Sequence, residues 1–253
     1  MNLGLKGRRV LVTGASRGIG RAVAVMFAQE EARVALTYHA NAAGAEATAR
    51  SCAPAGTLVL PLDLNDDASI GRLADDVIAQ WGGVDVLVNN AVAWPGFPAE
   101  GELFETAPVE RFQESLRANL QAHVLLTRAL VGPMREAGWG RIVHVSTGLV
   151  EDGFAGSAAY VTAKAGLHGL TRTMARELGG AGILTNLVMP GFTQHEGRHV
   201  PEPILAKVRA ATGTGRTTTP NDVARLVAFL GSAANSHVNG ERIRVDGHFL
   251  APA

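Results

Sequence analysis

The stretch Thr13-Gly14-Ala15-Ser16-Arg17-Gly18-Ile19-Gly20 decides how this chain folds. It follows an apolar run, and an amphipathic helical pattern begins at Gly18. Gly14 permits a tight turn, Gly18 lets a pyrophosphate approach the backbone at the positive end of the helix dipole, and Gly20 allows the helix to pack closely on the strand. A glycine-rich turn without a ligand is the alternative, but a strand before and a helix after are the context that a dinucleotide-binding turn needs. The dinucleotide contacts that we expect here are Gly14, Ser16, Arg17, Gly18, Ile19 and Gly20.

Outward from this turn, short β-branched runs alternate with longer amphipathic stretches along the chain. The runs, which predict seven strands, are Arg9–Thr13, Val34–Tyr38, Thr57–Pro61, Val84–Asn89, Arg141–Ser146, Leu184–Met189 and Glu241–Val245. The helical patterns are Gly18–Glu30, Ser69–Trp81, Pro108–Ala129, Ala158–Leu178 and Asn221–Leu230. Several strand runs are apolar at consecutive positions, as in parallel sheets that are buried on both faces. The alternation predicts an α/β fold of the Rossmann type, a doubly wound parallel sheet of about seven strands with helices on both faces.

Length and composition restrict the class of protein. The 253 residues suit one domain, 1–253, and 47% apolar residues are enough for a sizeable core. Lys+Arg and Asp+Glu both number 23, so no basic excess indicates nucleic acid as a partner. No apolar run is long enough for a membrane span, and Cys52 is the single cysteine, which argues against a disulfide or a cysteine-based metal site. We expect a cytoplasmic protein without a metal.

A second motif, Tyr160-Val161-Thr162-Ala163-Lys164, lies inside a helical pattern. The i, i+4 spacing places Tyr160 and Lys164 on one face of a helix. Reduction of a carbonyl adds a hydride to carbon and a proton to oxygen, and a phenol with an ordinary pKa of about 10 is a poor acid–base group at neutral pH. A nearby ammonium, together with an oxidised nicotinamide, is expected to lower the pKa of that phenol. The motif therefore predicts that Tyr160 and Lys164 are a proton-transfer pair.

The glycine turn, a strand ending in Ser146-Thr147 and Tyr-x3-Lys, in this order, resemble the short-chain dehydrogenase/reductase family, and within it the 3-oxoacyl-acyl-carrier-protein reductases. The resemblance extends from Lys6 to about Phe249. It implies that the family's catalytic Ser is replaced by Thr147, with Ser146 as the alternative if the loop is shifted by one residue. It also implies that Asn119 holds a water of the proton relay. Hydroxyls that merely end a strand, and an Asn on a helix surface, are the structural alternatives.

The resemblance implies further dinucleotide contacts, which are Asp63, Leu64, Asn89, Asn90, Ala91, Pro190, Gly191 and Thr193, together with Tyr160 and Lys164. In the family, the Asp after the third strand binds adenine, the Asn-Asn-Ala at the fourth strand lines the adenosine, and the Pro-Gly turn lies under the nicotinamide. Two positions depart from the family pattern. Val92 replaces a glycine, and His195 replaces a Thr that contacts the nicotinamide carboxamide.

The end of the second predicted strand discriminates between NAD and NADP. Family members that prefer NAD place an acidic residue there, whereas Thr37-Tyr38-His39-Ala40-Asn41 contains none. Arg17 lies in the glycine turn, where a guanidinium pairs with a ribose 2′-phosphate, and Thr37, His39 and Asn41 are candidates for added hydrogen bonds. We expect NADP(H) rather than NAD(H). The alternative is that Arg17 is a solvated turn residue.

Two segments without regular patterning, Ala93–Ala107 and Phe192–Thr219, follow strand ends and are predicted to border the substrate. Trp94, Phe97 and Phe104 in the first segment favour an apolar or bulky substrate, although loop packing explains them equally well.

The sequence thus predicts an NADPH-dependent oxidoreductase that reduces a 3-oxoacyl thioester or a related ketone, with Tyr160 as the proton donor. A ketone or polyol reductase of secondary metabolism on the same fold is one alternative. A non-catalytic nucleotide-binding protein is another, suggested by the residues at positions 92, 147 and 195. The resemblance implies a homotetramer or homodimer, and we expect neither nucleic acid nor a membrane as a partner.

Overall fold

The chain forms a parallel sheet with helices on both faces. A computed structural model describes residues 2–53, 56–94, 96, 102–197 and 199–250. The strands are β1 (Arg9–Val12), β2 (Arg33–Tyr38), β3 (Leu58–Pro61), β4 (Val86–Asn89), β5 (Gly140–Val145), β6 (Ile183–Pro190) and β7 (Arg242–Val245). The α-helices are α1 (Gly18–Gln29), α2 (Ala42–Ser51), α3 (Asp67–Trp81), α4 (Val109–Leu116), α5 (Ala122–Glu136), α6 (Leu149–Asp152), α7 (Ala158–Leu178), α8 (Glu202–Ala210) and α9 (Pro220–Leu230).

The strand order is β3-β2-β1-β4-β5-β6-β7, and each pairing is parallel. The chain starts in the middle of the sheet, where Val10 of β1 pairs with Val34 of β2 on one side and Val86 of β4 on the other. The predicted doubly wound parallel sheet of the Rossmann type is therefore confirmed. In such sheets ligands bind outside the carboxyl ends of the strands where the order reverses, which here is the edge formed by β1 and β4.

Two apolar cores lie on opposite faces of the sheet. Val10 and Val12 of β1 belong to the core that α1 and α9 cover, with Phe27 and Val227 among the helix residues. Leu11 points to the other face, where α3 and α5 cover the sheet. Because both faces are buried, the central strands need apolar side chains at consecutive positions, and this explains the pattern in the sequence.

Three α-helices, α2, α6 and α8, lie outside the predicted helical patterns, and α6 is only four residues long. The Ala-rich helix α2 is capped by Asn41, whose side chain accepts a hydrogen bond from the Gly44 N–H at 2.9 Å. Helix α8 lies inside Phe192–Thr219, which was predicted to be irregular, and it buries Leu205. Helices α2 and α8 are short and present a narrow apolar face, so their periodicity is weak in the sequence.

The predicted helix Pro108–Ala129 is divided in the structure. A π-helical turn, Arg117–Gln121, separates α4 from α5, and α5 continues through Pro133 to Glu136. A π turn inserts one extra residue into the helix. Because apolar residues recur at helical spacing both before and after this turn, the 3.6-residue period of the sequence does not reveal the insertion.

Over the ranges that the structure describes, no helix combines the length and the apolar character that are needed to cross a bilayer. In the same ranges, no three His, Cys, Asp or Glu side chains are grouped as metal ligands would be.

An ion pair joins the amino ends of β1 and β4. The Asp85 carboxylate accepts hydrogen bonds from the Arg9 backbone N–H at 2.7 Å, from Nε at 3.0 Å and from Nη2 at 2.9 Å. Arg9 Nη1 also donates to the carbonyl of Trp81 at 2.7 Å. Burial alone raises the pKa of Asp85, but the hydrogen bonds from Arg9 outweigh burial and hold the pKa below its ordinary value.

We expect Asp85→Asn to lower the free energy of unfolding at pH 7 by about 2 kcal/mol, because the Arg9 guanidinium loses its charged partner. The folded-state pKa of Asp85 is depressed, so its stabilisation is complete above the unfolded-state pKa of about 3.9 and is lost as pH falls through the folded-state pKa. Urea unfolding at pH 7 and pH 3 measures this, with the exposed Asp76→Asn as control. An equal loss of stability at both pH values would contradict the assignment.

Candidate active site

The glycine turn at the carboxyl end of β1 has room for backbone but not for side chains. Gly14 and Gly18 have positive φ angles of 67° and 59°. A Cβ on Gly14 would lie 2.8 Å from the Cα of Ala91, and one on Gly20 would overlap the carbonyl oxygen of Gly14. Arg17 is the N-cap of α1 and its side chain makes no capping hydrogen bond among the described residues, so the first N–H groups of α1 are available to an anion. The turn therefore fits the pyrophosphate of a dinucleotide.

The end of β4 supports the glycine turn from the side. Asn90 Nδ2 donates to the carbonyls of Thr13 and Gly14 at 2.9 and 3.1 Å. The backbone N–H groups of Asn90 and Ala91 both donate to Thr13 Oγ1 at 2.9 Å. From below, Thr37 Oγ1 accepts the Gly14 N–H at 3.0 Å, and Thr37 is fully buried. Thr37 thus supports the turn from beneath, and its predicted hydrogen bond to the 2′-phosphate stays a prediction.

Asn89 also points into the interior. Its Nδ2 donates to Thr127 Oγ1 at 3.0 Å and lies 3.3 Å from His144 Nδ1. Asn89 thereby holds α5 and β5 against the end of β4. The Asn89 side chain is 1% exposed, so its predicted contact with the dinucleotide, which stays a prediction, would have to come from the backbone.

The polar residues predicted for the adenosine side lie at the surface beyond β2 and β3. His39 Nε2 is 3.6 Å from Asp63 Oδ2, and both side chains are exposed. Arg17 is exposed at the start of α1. Leu64 is half-buried and packs against the core that α3 and α5 cover. The structure thus leaves Arg17, His39 and Asp63 accessible on one edge of the sheet.

Tyr160 and Lys164 lie on the first turns of α7 and are both buried, with 8% and 1% exposure. Lys164 Nζ donates to the carbonyl of Val145 at 2.9 Å, which fixes the ammonium at the carboxyl end of β5. Burial lowers the pKa of Lys164 to about 7. Burial also raises the pKa of Tyr160, because desolvation penalises the phenolate. The lowering expected from Lys164 together with an oxidised nicotinamide stays a prediction.

The ring of Trp94 packs edge-on against Tyr160, with centroids 4.9 Å apart and planes at 82°. Trp94 is half-exposed, so it forms one wall beside the phenol. Phe104, from the same predicted loop, is exposed and pairs with Phe112 of α4. Phe97 lies outside the described residues.

The two hydroxyls after β5 differ in their surroundings. Ser146 is buried, and its Oγ contacts the Lys164 carbonyl at 3.4 Å and His168 Nε2 at 3.0 Å. Thr147 is half-buried, and its Oγ1 accepts the Leu149 N–H at 3.3 Å. The Ser146 hydroxyl is therefore engaged in the interior, which leaves Thr147 as the better placed hydroxyl.

Asn119 lies in the π-helical turn between α4 and α5. Its side chain pairs with the backbone of Ala93 in both directions, donating to the carbonyl at 3.0 Å and accepting the N–H at 3.1 Å. Its Nδ2 also lies 3.4 Å from Ser115 Oγ. Asn119 is fully buried, which excludes the helix-surface alternative, and isolated π turns are frequent at functional sites.

The segment after β6, which ends at Pro190, lies across the glycine turn. Thr193 Oγ1 donates to the Gly191 carbonyl at 3.0 Å, and Thr193 bridges to the residues before α9. The His195 ring lies close to the start of α1. A Cβ placed on Gly18 would be 3.4 Å from the ring atoms Cγ and Cδ2 of His195. The carboxyl ends of β1 and β6 thus share one site.

Two buried histidines near Lys164 were missed by sequence reasoning. The rings of His123 and His144 are nearly parallel, with centroids 6.4 Å apart, and His123 Nε2 lies 3.1 Å from the Ala91 carbonyl. Burial, and then the charge of Lys164, lower the pKa of both, to about 3 for His144. Both rings are neutral at pH 7. The sequence carries a signal for His144, because a histidine within a strand that is buried along its whole length must lie in the interior.

We expect Lys164→Met to raise Tm at pH 6, on the order of 5 °C, because it removes the cost of desolvating an ammonium. The folded-state pKa of Lys164 lies below its unfolded value, so this cost is complete below about pH 7 and shrinks as pH rises toward about 10. The gain in Tm should therefore be smaller at pH 9.5 than at pH 6. Thermal unfolding at both pH values measures it, with the exposed Lys207→Met as control. A lower Tm for Lys164→Met at pH 6 would contradict it.

Comparisons with known proteins cover nearly the whole chain. Residues 14–249 match a family model described as enoyl-(acyl carrier protein) reductase. The chain is 33% identical to the 3-oxoacyl-(acyl-carrier-protein) reductase of Escherichia coli over 97% of this chain and 98% of that protein, and 34% identical to that of Aquifex aeolicus over 98% and 99%. The structure of L-sorbose reductase from Gluconobacter frateurii, complexed with NADPH and L-sorbose, matches with a TM-score of 0.89 at 26% identity and covers 100% of both chains. The chain belongs to the short-chain dehydrogenase/reductase family and is an NAD(P)-dependent oxidoreductase.

Proposed function

We propose that this enzyme reduces a carbonyl to an alcohol with NADPH, and that its substrate is a 3-oxoacyl thioester or a related ketone. The observation that carries the proposal is the hydrogen bond from Lys164 Nζ to the Val145 carbonyl, which brings the Tyr160–Lys164 turn of α7 to the carboxyl end of β5, just before Thr147. Similarity to 3-oxoacyl-(acyl-carrier-protein) reductases over nearly the whole chain supports the substrate class.

The proposed roles follow from burial and chemistry. A bound NADPH supplies the hydride. Tyr160 holds its proton at neutral pH and donates it to the carbonyl oxygen, a step that the nearby Lys164 ammonium would favour by stabilising the phenolate that remains. The Thr147 hydroxyl donates a hydrogen bond to the same oxygen as negative charge develops. Lys164, whose pKa is near neutrality, exchanges a proton with the Tyr160 phenol. The Asn119 side chain holds the backbone of Ala93 beside the site.

The preference for NADPH rests on the charges at the adenosine edge. The end of β2 carries no carboxylate, and the exposed Arg17 starts α1 beside it. His39 is accessible on the same edge. A guanidinium pairs well with a 2′-phosphate, so this edge supports NADPH over NADH.

The surface around Tyr160 supports an apolar acyl or ketone substrate. Trp94 packs on the phenol, and an open, mostly apolar groove of about 410 Å³, whose lining does not include Tyr160, lies beside the first turns of α7. Its lining includes Leu103, Phe104, Phe154, Ala158 and Val161. A groove of this size accommodates a short acyl chain or a ring.

A ketone or polyol reductase is the second candidate, favoured by the fold similarity to L-sorbose reductase. A non-catalytic binder is the third, and the intact set of Tyr160, Lys164 and Asn119 argues against it. We also propose that the protein forms a homodimer or homotetramer, because Val109 and Leu116 expose an apolar strip on α4. A cytoplasmic location is a separate proposal.

The test of function is a substrate screen in which NADPH oxidation is followed with 3-oxoacyl thioesters, simple ketones and ketoses. We expect Tyr160→Phe to lower kcat by about 10²–10⁴-fold, because the proton donor is lost. Thr147→Ala should lower kcat by about 10²-fold, whereas Thr147→Ser should retain most of it. Best turnover on ketoses would favour the second candidate. NADPH binding without turnover on any substrate would support the binder.

Ser146→Ala is the matched control for Thr147→Ala, since the two hydroxyls are adjacent. We expect its kcat to stay within a few-fold of the wild type. If Ser146→Ala lost activity and Thr147→Ala did not, the role proposed for the Thr147 hydroxyl would belong to Ser146.

We expect Arg17→Ala to weaken NADPH binding by about tenfold to a hundredfold and NADH binding much less, because only NADPH carries the 2′-phosphate. Titration of the reduced nicotinamide fluorescence measures both dissociation constants. Arg50→Ala, an exposed arginine in the last turn of α2, is the control for a general loss of positive charge. An equal loss for both dinucleotides in Arg17→Ala would remove the phosphate assignment.

A further inference from the structure

His195 lies over the glycine turn although it belongs to the segment after β6. Its ring atoms Cγ and Cδ2 would each be 3.4 Å from a Cβ on Gly18. The imidazole is therefore beside the first turn of α1, where backbone N–H groups face an anion.

Two contacts hold the backbone around His195. Glu196 forms an ion pair with Arg21 of α1, at 3.2 Å between Oε2 and Nη1. On the other side, the Gln194 N–H donates to the Thr218 carbonyl at 3.1 Å. Since both neighbours of His195 are tied, the approach of its ring to α1 is fixed by the fold around it.

The hydrogen bond of the ring decides its tautomer. His195 Nδ1 lies 2.7 Å from the Glu196 carbonyl oxygen. A carbonyl oxygen only accepts, so Nδ1 carries a hydrogen and donates it. In the neutral imidazole, Nε2 then has a lone pair, and it donates to a phosphate oxygen only after it is protonated.

We propose that His195 is a dinucleotide-binding residue whose protonated Nε2 donates to the pyrophosphate, so that binding of the dinucleotide takes up a proton. The inference rests on the proposed function, in which the glycine turn binds this pyrophosphate. Histidine is the side chain whose unperturbed charge changes between about pH 5 and 8, so this is the pH range in which the proposal is tested.

Among the described residues, the charged groups near His195 include members of its own segment and of α1, and Lys164, with a pKa of about 7, lies further along the same site. Glu196 next to it is paired with Arg21, and Arg17 precedes α1. His39 and Asp63 lie further along the adenosine edge. A 2′-phosphate also titrates, near pH 6 by analogy with other phosphate monoesters, and this must be kept out of the measurement.

NADH is therefore the probe, because it has the pyrophosphate without the 2′-phosphate. We expect the Kd of the full-length protein for NADH to rise on the order of tenfold between pH 6 and pH 8.5, because a neutral imidazole whose Nδ1 donates to Glu196 has no proton on Nε2 to donate. His195→Gln should show a clearly smaller rise, and the part that remains belongs to Lys164, whose pKa of about 7 lies in the same range. Calorimetry at pH 7 in two buffers of different ionisation enthalpy should register more proton uptake in the wild type than in the variant.

His199→Gln is the matched control, since His199 is an exposed histidine of the same segment, and it should keep the wild-type pH dependence. Unchanged pH dependence in His195→Gln would overturn the proposal, and so would tighter binding by that variant at every pH, which would mean that the ring obstructs the site. Absence of NADH and NADPH binding to the wild type at every pH would instead contradict the proposed function itself, and the inference with it.

Discussion

The contact between the glycine turn and the end of β4 leaves no space for a β-carbon at Gly14 or Gly20. Thr13, Asn90 and Ala91 fill the gap with hydrogen bonds that run between the two strand ends. This contact fixes the direction in which α1 leaves the sheet, and hence where its N-terminus presents backbone N–H groups. It also sets where α1 begins relative to β5 and α7, beside which the side chains proposed for catalysis lie. The geometry of the whole site depends on it.

The wall of the site is unusually polar for the centre of a doubly wound sheet. Lys164, His123, His144 and Asn89 are all buried at the carboxyl ends of β4 and β5. Burying such groups costs free energy, and the fold limits the cost by keeping the histidines neutral and the lysine close to neutrality. The same dry surroundings strengthen each remaining interaction with a reacting carbonyl.

The sequence was most informative where periodicity and spacing act over many residues. Each predicted strand overlaps a strand of the structure, and α7 has the predicted bounds, because runs buried on both faces and a long amphipathic helix leave little ambiguity. The direction of single side chains was harder to predict. Thr37 and Asn89 stand at strand ends, where one residue further along the chain the side chain points to the opposite face, so a family pattern alone does not separate ligand contact from support. The raised pKa of Tyr160 depends on desolvation by residues distant in sequence, and no local pattern reports it.

The hydrogen bonds between Thr13 and Asn90 connect residues that are 77 positions apart. β1 therefore has no neighbour on this side until the chain has passed through β2, α2, β3 and α3 to reach β4. Closing so large a loop is slow, and parallel pairing of this kind is made late compared with helix formation. The glycine turn, although it lies near the N-terminus, acquires its final shape among the last elements of the N-terminal half. Changes at Asn90 or Thr13 will consequently act on the yield and rate of folding before they act on turnover.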